Sequence, residues 1–291
     1  MVMIMLGKTI KFLREEKGFS QKYIAKDIFK SSQISKIEND DQKITADNFI
    51  KLLYRLSITF DEFCFFTKNK HISARVKTRS YVAELGQNGN PSQLKEGIKK
   101  MDEYHEEFKD VYFKHMCCVL KATYILSTTD NDYEKARKEL TPITEYLIST
   151  ENWFYYELAL FTNILYLYSP PTAISEGNRV LKKINEHYER FKDYDITRSL
   201  LINLAIYSLD EKLYMQSFEF SSKVLALPQS TDHLYDILLA KIVNQVACFR
   251  LRSSEYSINY LSNLIDTLKV LSLDAIHKQV LDFVTKHDIR L

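Results

Sequence analysis

Residues 20–40, SQKYIAKDIFKSSQISKIEND, carry the clearest structural pattern in the N-terminal part of this 291-residue chain. Gly18 fits the left-handed position after a preceding helix, GKTIKFLREEK, and Ser20 fits the N-cap of the next helix. Ser31 or Ser32 would cap a third helix, SSQISKIEND. Two further short helices, ADNFIKLLYRL and TFDEFCFF, follow. The sequence therefore predicts a small domain of five helices.

The spacing of residues in this stretch resembles the repressor-type helix-turn-helix. In such domains the third helix lies in the major groove of DNA, and the second helix crosses the backbone. One departure is the turn before the third helix, which lacks the usual glycine and carries Ile28-Phe29. The positions that carry the resemblance are Ser20-Gln21, Ile24-Ala25, Ile34-Ser35 and Ile37-Glu38.

Positive charge is concentrated in this domain. Eight basic and three acidic residues lie between Lys8 and Lys36, although the whole chain has a net charge of only +2. A positive segment on a nearly neutral chain favours a polyanion as partner, although a solvated helix face would carry the same charges. The resemblance implies base contacts from Ser32, Gln33 and Lys36, phosphate contacts from Arg14, Gln21, Lys22 and Ser35, and an internal bracing role for Glu38.

From about His71 onward, the sequence predicts helices in a pattern that repeats every 40 residues or so. That period is typical of stacked helical hairpins, here resembling degenerate tetratricopeptide units, although an irregular helical bundle is the alternative. The predicted fold is all-α, with a helix-turn-helix domain at 1–67, a basic linker at 68–80 and a right-handed solenoid of TPR-like hairpins at 81–291. One helix type begins near His115, Phe154, Ile196 and Leu234, and the second near Ser92, Asp132, Thr172, Tyr214 and Glu255.

Three asparagines occupy the same place in successive repeats. Asn163, Asn203 and Asn244 lie 40 and 41 residues apart, each amid apolar residues. An unpaired buried carboxamide costs about 1–3 kcal/mol, so each needs a partner. On the inner surface of a solenoid they could bind the backbone of an extended peptide, or each could bond a neighbouring helix instead. The candidate peptide contacts are Lys121, Tyr124, Tyr156, Asn163, Tyr166, Arg198, Asn203, Tyr207, Asn244 and Arg250.

The whole chain resembles the Rgg (MutR) regulators, which belong with PlcR and PrgX among peptide-sensing regulators of Gram-positive bacteria. The resemblance rests on a repressor-type domain joined to about 220 residues of repeats, and on the segment ENWFYYELALFTN. It implies a homodimer in which each repeat domain binds a short signalling peptide and alters transcription. Tyr166 stands where some members have an arginine, which implies a different peptide. Ala46 stands where some members have a cysteine, so no disulfide between DNA-binding domains is expected.

The sequence contains no pattern that indicates an enzyme. Its six glycines form no phosphate-binding loop, and the runs HMCC at His115 and HEEF at His105 lack metal-ligand spacing. No CxxC pair occurs, which is typical of a reducing compartment, and we expect Cys64 to lie in the core. No apolar run approaches the ~20 residues of a membrane span.

We therefore expect a cytoplasmic protein with no cofactor, no metal and no membrane contact. The expected partners are double-stranded DNA, a short signalling peptide and a second copy of the chain. The linker 68–80 would set the distance between the two reading helices, about 34 Å in dimeric readers. The alternative is a helix-turn-helix regulator whose repeats bind a protein partner and no peptide.

Overall fold

Helix caps and left-handed turns divide the chain into short and medium helices. The computed structural model describes residues 6–67, 69–130, 132–187 and 194–290, and these residues form α-helices and two 3-10 turns but no β-strand. The predicted all-α class is therefore confirmed. By packing, the chain divides into two units, Met1–Leu140 and Thr141–Leu291.

The first unit contains the helix-turn-helix domain and the first helical hairpin. Its helices are α1 Leu6–Glu16, α2 Gln21–Ala25, α3 Ser31–Glu38, α4 Ala46–Leu56, α5 Phe60–Phe66, α6 Lys70–Asn88, α7 Pro91–Phe108, α8 Val111–Thr128 and α9 Tyr133–Glu139.

Side-chain caps begin most helices of the helix-turn-helix domain. The Ser20 hydroxyl accepts the backbone N–H of Tyr23 at 3.1 Å, as predicted. The cap expected at Ser31 or Ser32 is wrong, because α3 already begins at Ser31 and its N-cap is Lys30. The backbone N–H of Lys30 instead donates to the side-chain oxygen of Gln33 at 3.0 Å. A residue inside α3 therefore supplies the cap.

The turn between α2 and α3 is made without glycine. Asp27 has a φ of 59°, in the left-handed region that glycine usually occupies. Aspartate is among the non-glycine residues that adopt this conformation most readily. The departure from the usual motif thus leaves the backbone turn between α2 and α3 intact. At the end of α1, Gly18 has a φ of 67°, as predicted for the residue that follows a helix.

Helices α1 and α3 approach each other closely at Gly7. Its backbone N–H donates to Oδ1 of Asp40 at 2.8 Å. A Cβ at this position would lie 1.7 Å from the carbonyl oxygen of Ile37, so a side chain does not fit. The core of the domain next to this contact is a cluster of buried apolar side chains. Its fully buried members are Ile10, Ile24, Ile34, Ile37, Leu52, Leu56 and Phe63.

Most of the predicted linker 68–80 is helical, because α6 runs from Lys70 to Asn88 without interruption. Lys68 lies outside the described residues. Helix α6 packs on α5 and on the hairpin formed by α7 and α8. The functional division at residues 67 and 80 stays a prediction.

Asp110 joins α6 to the start of α8. One carboxylate oxygen accepts the backbone N–H of Tyr112 at 3.0 Å and so caps α8. The other oxygen lies 2.9 Å from Nε2 of His71 and 2.5 Å from Nη1 of Arg75. Burial opposes ionisation, but the hydrogen bonds from these three groups outweigh it and lower the pKa of Asp110.

Replacing Asp110 by asparagine is expected to destabilise the first unit by about 2 kcal/mol at pH 7. A carboxylate with a lowered pKa stabilises the fold above its unfolded pKa, and this contribution is lost as the pH falls through the folded value. The loss in Asp110→Asn should therefore shrink from about pH 5 downward. Chemical denaturation across pH measures it, with the exposed Glu103→Gln as control. Parallel pH profiles for Asp110→Asn and the unmodified protein would contradict this role.

The second unit consists of helical hairpins and a final helix. The predicted starts near Phe154, Thr172, Ile196, Tyr214 and Leu234 each lie within two residues of an observed helix start, which confirms the repeat of about 40 residues. The start predicted near Glu255 comes three residues early, because the nearest helix begins at Ile258, and in the first unit the start predicted near His115 comes four residues late. The helices are α10 Thr141–Ser149, α11 Tyr155–Ile164, α12 Pro170–His187, α13 Tyr194–Asp210, α14 Tyr214–Ala226, α15 Leu234–Arg250, α16 Ile258–Val270 and α17 Asp274–Lys286.

The four cysteines are buried and free. Cys64 lies in the helix-turn-helix core, as predicted, with 3% exposure. Burial raises the pKa of the Cys64, Cys118 and Cys248 thiols. Burial and a hydrogen bond to Asp102 together raise the pKa of Cys117 to about 12. These thiols are therefore protonated at neutral pH.

Candidate functional site

Helix α3 presents a polar face away from the domain core. Ile34 and Ile37 are buried, which confirms their predicted inward orientation. Ser32 and Lys36 are exposed, and Gln33 and Ser35 are half-buried. The residues expected to read base edges therefore share the accessible side of the helix.

Arg14 is held inside the helix-turn-helix domain. Its Nε and Nη2 donate to the two carboxylate oxygens of Glu38 at 2.6 and 3.0 Å. Its Nη1 donates to the carbonyl oxygen of Phe19 at 3.0 Å. The hydrogen bond to Glu38 raises the pKa of Arg14. The bracing role predicted for Glu38 is confirmed. The phosphate contact expected of Arg14 would require breaking this ion pair, so we assign Arg14 to the brace instead.

Gln21 belongs to the same network. Its Nε2 donates to Oε2 of Glu38 at 2.7 Å, which joins the first turn of α2 to the last turn of α3. Lys22, the next residue on α2, is exposed. The exposed ammonium of Lys22 can reach an anion without breaking an internal contact, whereas Gln21 would have to share its amide. Phosphate contacts by these two residues stay predictions.

In the second unit, α11 and α13 lie side by side in the predicted register. The Asn203 carboxamide donates to the carbonyl oxygen of Thr162 at 3.3 Å. The Tyr207 hydroxyl donates to the carbonyl oxygen of Tyr168 at 2.6 Å. These partners are 41 and 39 residues apart, close to the period of the repeat. Asn203 therefore lies beside Asn163 across adjacent helices. Its bond to Thr162 is of the kind that the alternative for the asparagines expects, a contact with a neighbouring helix.

Asn163 and Asn203 are both exposed, and each is flanked along its helix by buried, mostly apolar residues. On α13 the exposed Ser199 lies one turn before Asn203. Ser199 is not among the residues predicted from the sequence, although its spacing of four residues from Asn203 places both on one helix face. Together these residues form a polar stripe, which we call the α11–α13 surface. The stripe offers carboxamide donors and acceptors and a hydroxyl group.

Asn244 departs from the predicted ladder. Its exposure is 9%, and its Nδ2 donates to the hydroxyl oxygens of Ser221 and Ser222 at 3.0 and 3.1 Å. These serines lie on α14, so Asn244 bonds a neighbouring helix within its own repeat. The alternative considered for the asparagines is therefore correct for Asn244, and the prediction that it faces a ligand is corrected.

The two arginines expected near the ligand serve internal contacts instead. Arg198 is fully buried, and its Nη2 donates to the carbonyl oxygen of Pro228 at 2.7 Å, just beyond the end of α14. Arg250 donates to the Tyr214 hydroxyl at 2.9 Å and forms an ion pair with Asp288 at 2.5 Å. Arg198 thus holds the loop after α14, and Arg250 holds the end of α17. A ligand contact by either would require breaking these bonds.

The remaining candidates lie at different places. Tyr166 is 39% exposed, and the half-buried Tyr156 ring lies 6.1 Å from that of Tyr146. Lys121 and Tyr124 belong to α8 of the first unit. There Lys121 lies 3.9 Å from the carboxylate of Asp102, and the ammonium of Lys95 lies 5.4 Å from the Tyr124 ring. Peptide contacts by these residues stay predictions.

The described residues contain no group of three or more histidine, cysteine, aspartate or glutamate side chains placed to hold a metal ion. Among the same residues, no helix combines the length and the apolar character needed to cross a bilayer.

Comparison with known families assigns the chain. Residues 92–280 match the family described as HTH-type transcriptional regulator Rgg, C-terminal domain, and residues 7–62 match a helix-turn-helix domain. The chain belongs to the Rgg family. Its members are transcriptional regulators rather than enzymes, so this Rgg protein is a DNA-binding regulator by family.

Solved structures share the architecture of this Rgg protein. The SHP pheromone receptor Rgg2 of Streptococcus dysgalactiae has a TM-score of 0.73 and 22% identity, with 97% of this chain and 98% of that chain covered. PlcR of Bacillus thuringiensis, in complex with the peptide PapR7 and DNA, has a TM-score of 0.67 and 18% identity, with 96% of this chain and 99% of that chain covered. PrgX in its complex with iCF10 has a TM-score of 0.68 and 15% identity, with 98% of this chain and 96% of that chain covered. At these identities the likeness shows the fold alone.

Proposed function

We propose that this Rgg protein is a peptide-responsive (quorum-sensing) transcription regulator whose repeat domain binds a short signalling peptide and alters promoter binding or activity. Rgg2 is described as a pheromone receptor, and PlcR was solved with a peptide and DNA. The observation that carries the proposal is the exposed pair Asn163 and Asn203 on adjacent helices. Asn203 already uses one N–H donor on the Thr162 carbonyl oxygen, and the remaining donor and acceptor capacity of the two carboxamides suits the backbone of an extended peptide.

The DNA-binding part of the proposal uses α3. In the major groove, base edges are contacted by Ser32, Gln33 and Lys36. The phosphate backbone is contacted by Ser35 and Lys22. Two copies of the chain place two such helices on one operator, as dimeric readers do. The protein acts in the cytoplasm under this proposal, because that is where the DNA of a bacterium lies.

The α11–α13 surface predicts which substitutions weaken peptide binding. A panel of synthetic hydrophobic octapeptides is added to the purified full-length protein, and thermal unfolding and molar mass are followed together. We expect at least one peptide to raise the melting temperature of a dimer. Asn163→Ala and Asn203→Ala should each weaken that peptide about tenfold, because each removes hydrogen bonds worth about 1 kcal/mol or slightly more.

The matched control is Asn263→Ala, an exposed asparagine on α16. It should leave peptide affinity unchanged. If no peptide shifts the melting temperature while a protein partner is captured stably, the repeats serve as a protein-binding domain. Equal affinities in all three asparagine variants would place the peptide elsewhere.

A further inference from the structure

The orientation of the Gln33 carboxamide is fixed by the backbone of α3. Gln33 is the third residue of the helix, and its Oε1 accepts the N–H of Lys30 at 3.0 Å. The N–H of Lys30 precedes the helix and has no partner in the helical ladder. Turning the amide around would replace this hydrogen bond by a contact between two donors. The oxygen is therefore held toward the backbone, and the Nε2 group points away from it.

Gln33 consequently differs from a glutamine whose carboxamide can rotate to exchange its donor and acceptor atoms. A carboxamide recognises adenine by using both atoms at once, with the oxygen accepting from N6 and the nitrogen donating to N7. Here the hydrogen bond from the Lys30 N–H turns the oxygen toward the backbone, so the oxygen is not presented outward beside Nε2 for such pairing. The two N–H donors of Nε2 remain for an external partner.

The exposed side chains near Gln33 carry no carboxylate, because Ser32 has a hydroxyl group, which donates or accepts, and Lys36 has an ammonium group. Lys36, one turn further along α3, is exposed and carries three N–H donors and no acceptor. The single acid of α3, Glu38, is 1% exposed and already accepts from Arg14 and Gln21. No carboxylate on the exposed face of α3 is available to accept from the amino group of cytosine or adenine.

Guanine is the base that matches such a face. In the major groove it presents two neighbouring acceptors, N7 and O6, whereas adenine pairs an acceptor with a donor. We infer that Gln33 donates through Nε2 to a guanine. Because of this contact, guanine is the preferred base at that position of the operator. The inference rests on the proposed function in that α3 is the reading helix.

The test begins with binding selection on random DNA, which defines the operator of the full-length protein. Each operator position is then changed to all four bases, and affinities are measured for the unmodified protein, Gln33→Ala and Gln33→Glu. Gln33→Glu keeps an oxygen for the N–H of Lys30 and removes the donors, so it separates the contact from the helix cap. The control is Glu103→Gln, an exposed position on α7 outside the helix-turn-helix domain.

We expect one position in each half-site to lose its base preference in both Gln33 variants, by about tenfold. The preferred base there should be guanine. Replacing that guanine by 7-deazaguanine should weaken the unmodified protein and leave Gln33→Glu unaffected. Melting temperature should stay unchanged in Gln33→Glu, which excludes loss of folding as the cause.

Any base other than guanine at that position overturns the inference, as does an unchanged preference in both variants. These results are distinguishable from failure of the proposed function. If the unmodified protein binds selected and scrambled DNA equally, or if Ser32, Gln33 and Lys36 variants all keep full specificity, α3 is not the reading helix. In that case both the proposed DNA interface and the assignment of Gln33 fall together.

Discussion

Gly7→Ala is expected to abolish a stable helix-turn-helix domain. The new Cβ would lie 1.7 Å from the Ile37 carbonyl oxygen and 2.8 Å from its carbonyl carbon. Both atoms belong to the backbone of α3, so no side-chain rotation relieves the clash. Moving α1 away would also break the hydrogen bond from Gly7 to Asp40. We expect a loss of about 3 kcal/mol or more, a large part of the stability of a small domain.

Hydrogen–deuterium exchange measures this loss in the helix-turn-helix domain separately from the repeats. Peptides from α1 and α3 should exchange much faster in Gly7→Ala, and DNA affinity should fall with them. The matched control is Gly86→Ala on α6, where an added Cβ meets nothing within 4 Å. That change should be neutral or stabilise α6 by about 0.5–1 kcal/mol. Native exchange rates in Gly7→Ala would refute the close approach of α1 and α3.

Glu38→Ala is expected to lower the free energy of unfolding of the helix-turn-helix domain by a similar amount, because it breaks a buried ion pair. It removes the buried counter-charge of the Arg14 guanidinium, leaving only the exposed Glu15, and it removes the acceptor of Gln21. Breaking a buried ion pair in this way costs about 3–5 kcal/mol. The free energy of unfolding should fall accordingly, and the join between α2 and α3 should loosen.

Glu15→Ala is the control for Glu38→Ala. Glu15 also contacts Arg14, at 3.1 Å, but its side chain is 53% exposed. Exposed ion pairs contribute about 0–1 kcal/mol, so the control should remain near full stability. A double variant, Arg14→Met with Glu38→Leu, should recover much of the loss because no buried charge remains. Equal effects of Glu15→Ala and Glu38→Ala would argue against a buried brace.

The helical framework could be predicted from the sequence because its signals are local. Gly18 and Ser20 mark a helix end and a helix start within three residues. The spacing of about 40 residues located α14 and α15 to within two residues of their observed starts. The cap signals depend on a residue and its immediate neighbours, and the repeat depends on the recurrence of such local patterns along the chain. Tertiary contacts did not override them.

The roles of individual polar side chains depended on contacts between distant parts of the chain. Asn203 and Asn244 have equivalent positions in their repeats, yet one is exposed and the other is buried. The difference comes from α14, which places Ser221 and Ser222 opposite Asn244. Arg14 and Glu38 are 24 residues apart, and only the packing of α1 against α3 brings them together. Sequence patterns carry no direct record of such pairings.

The four buried cysteines make the protein well suited to distance spectroscopy. Maleimides and iodoacetamides react with accessible thiolates, and these thiols are enclosed and protonated at neutral pH. A single cysteine introduced at an exposed site such as Glu16 can therefore carry a dye while the native thiols stay in place. In a dimer, the same site on both copies would report the separation of the two helix-turn-helix domains with and without peptide. Native core packing need not be altered to follow the switch.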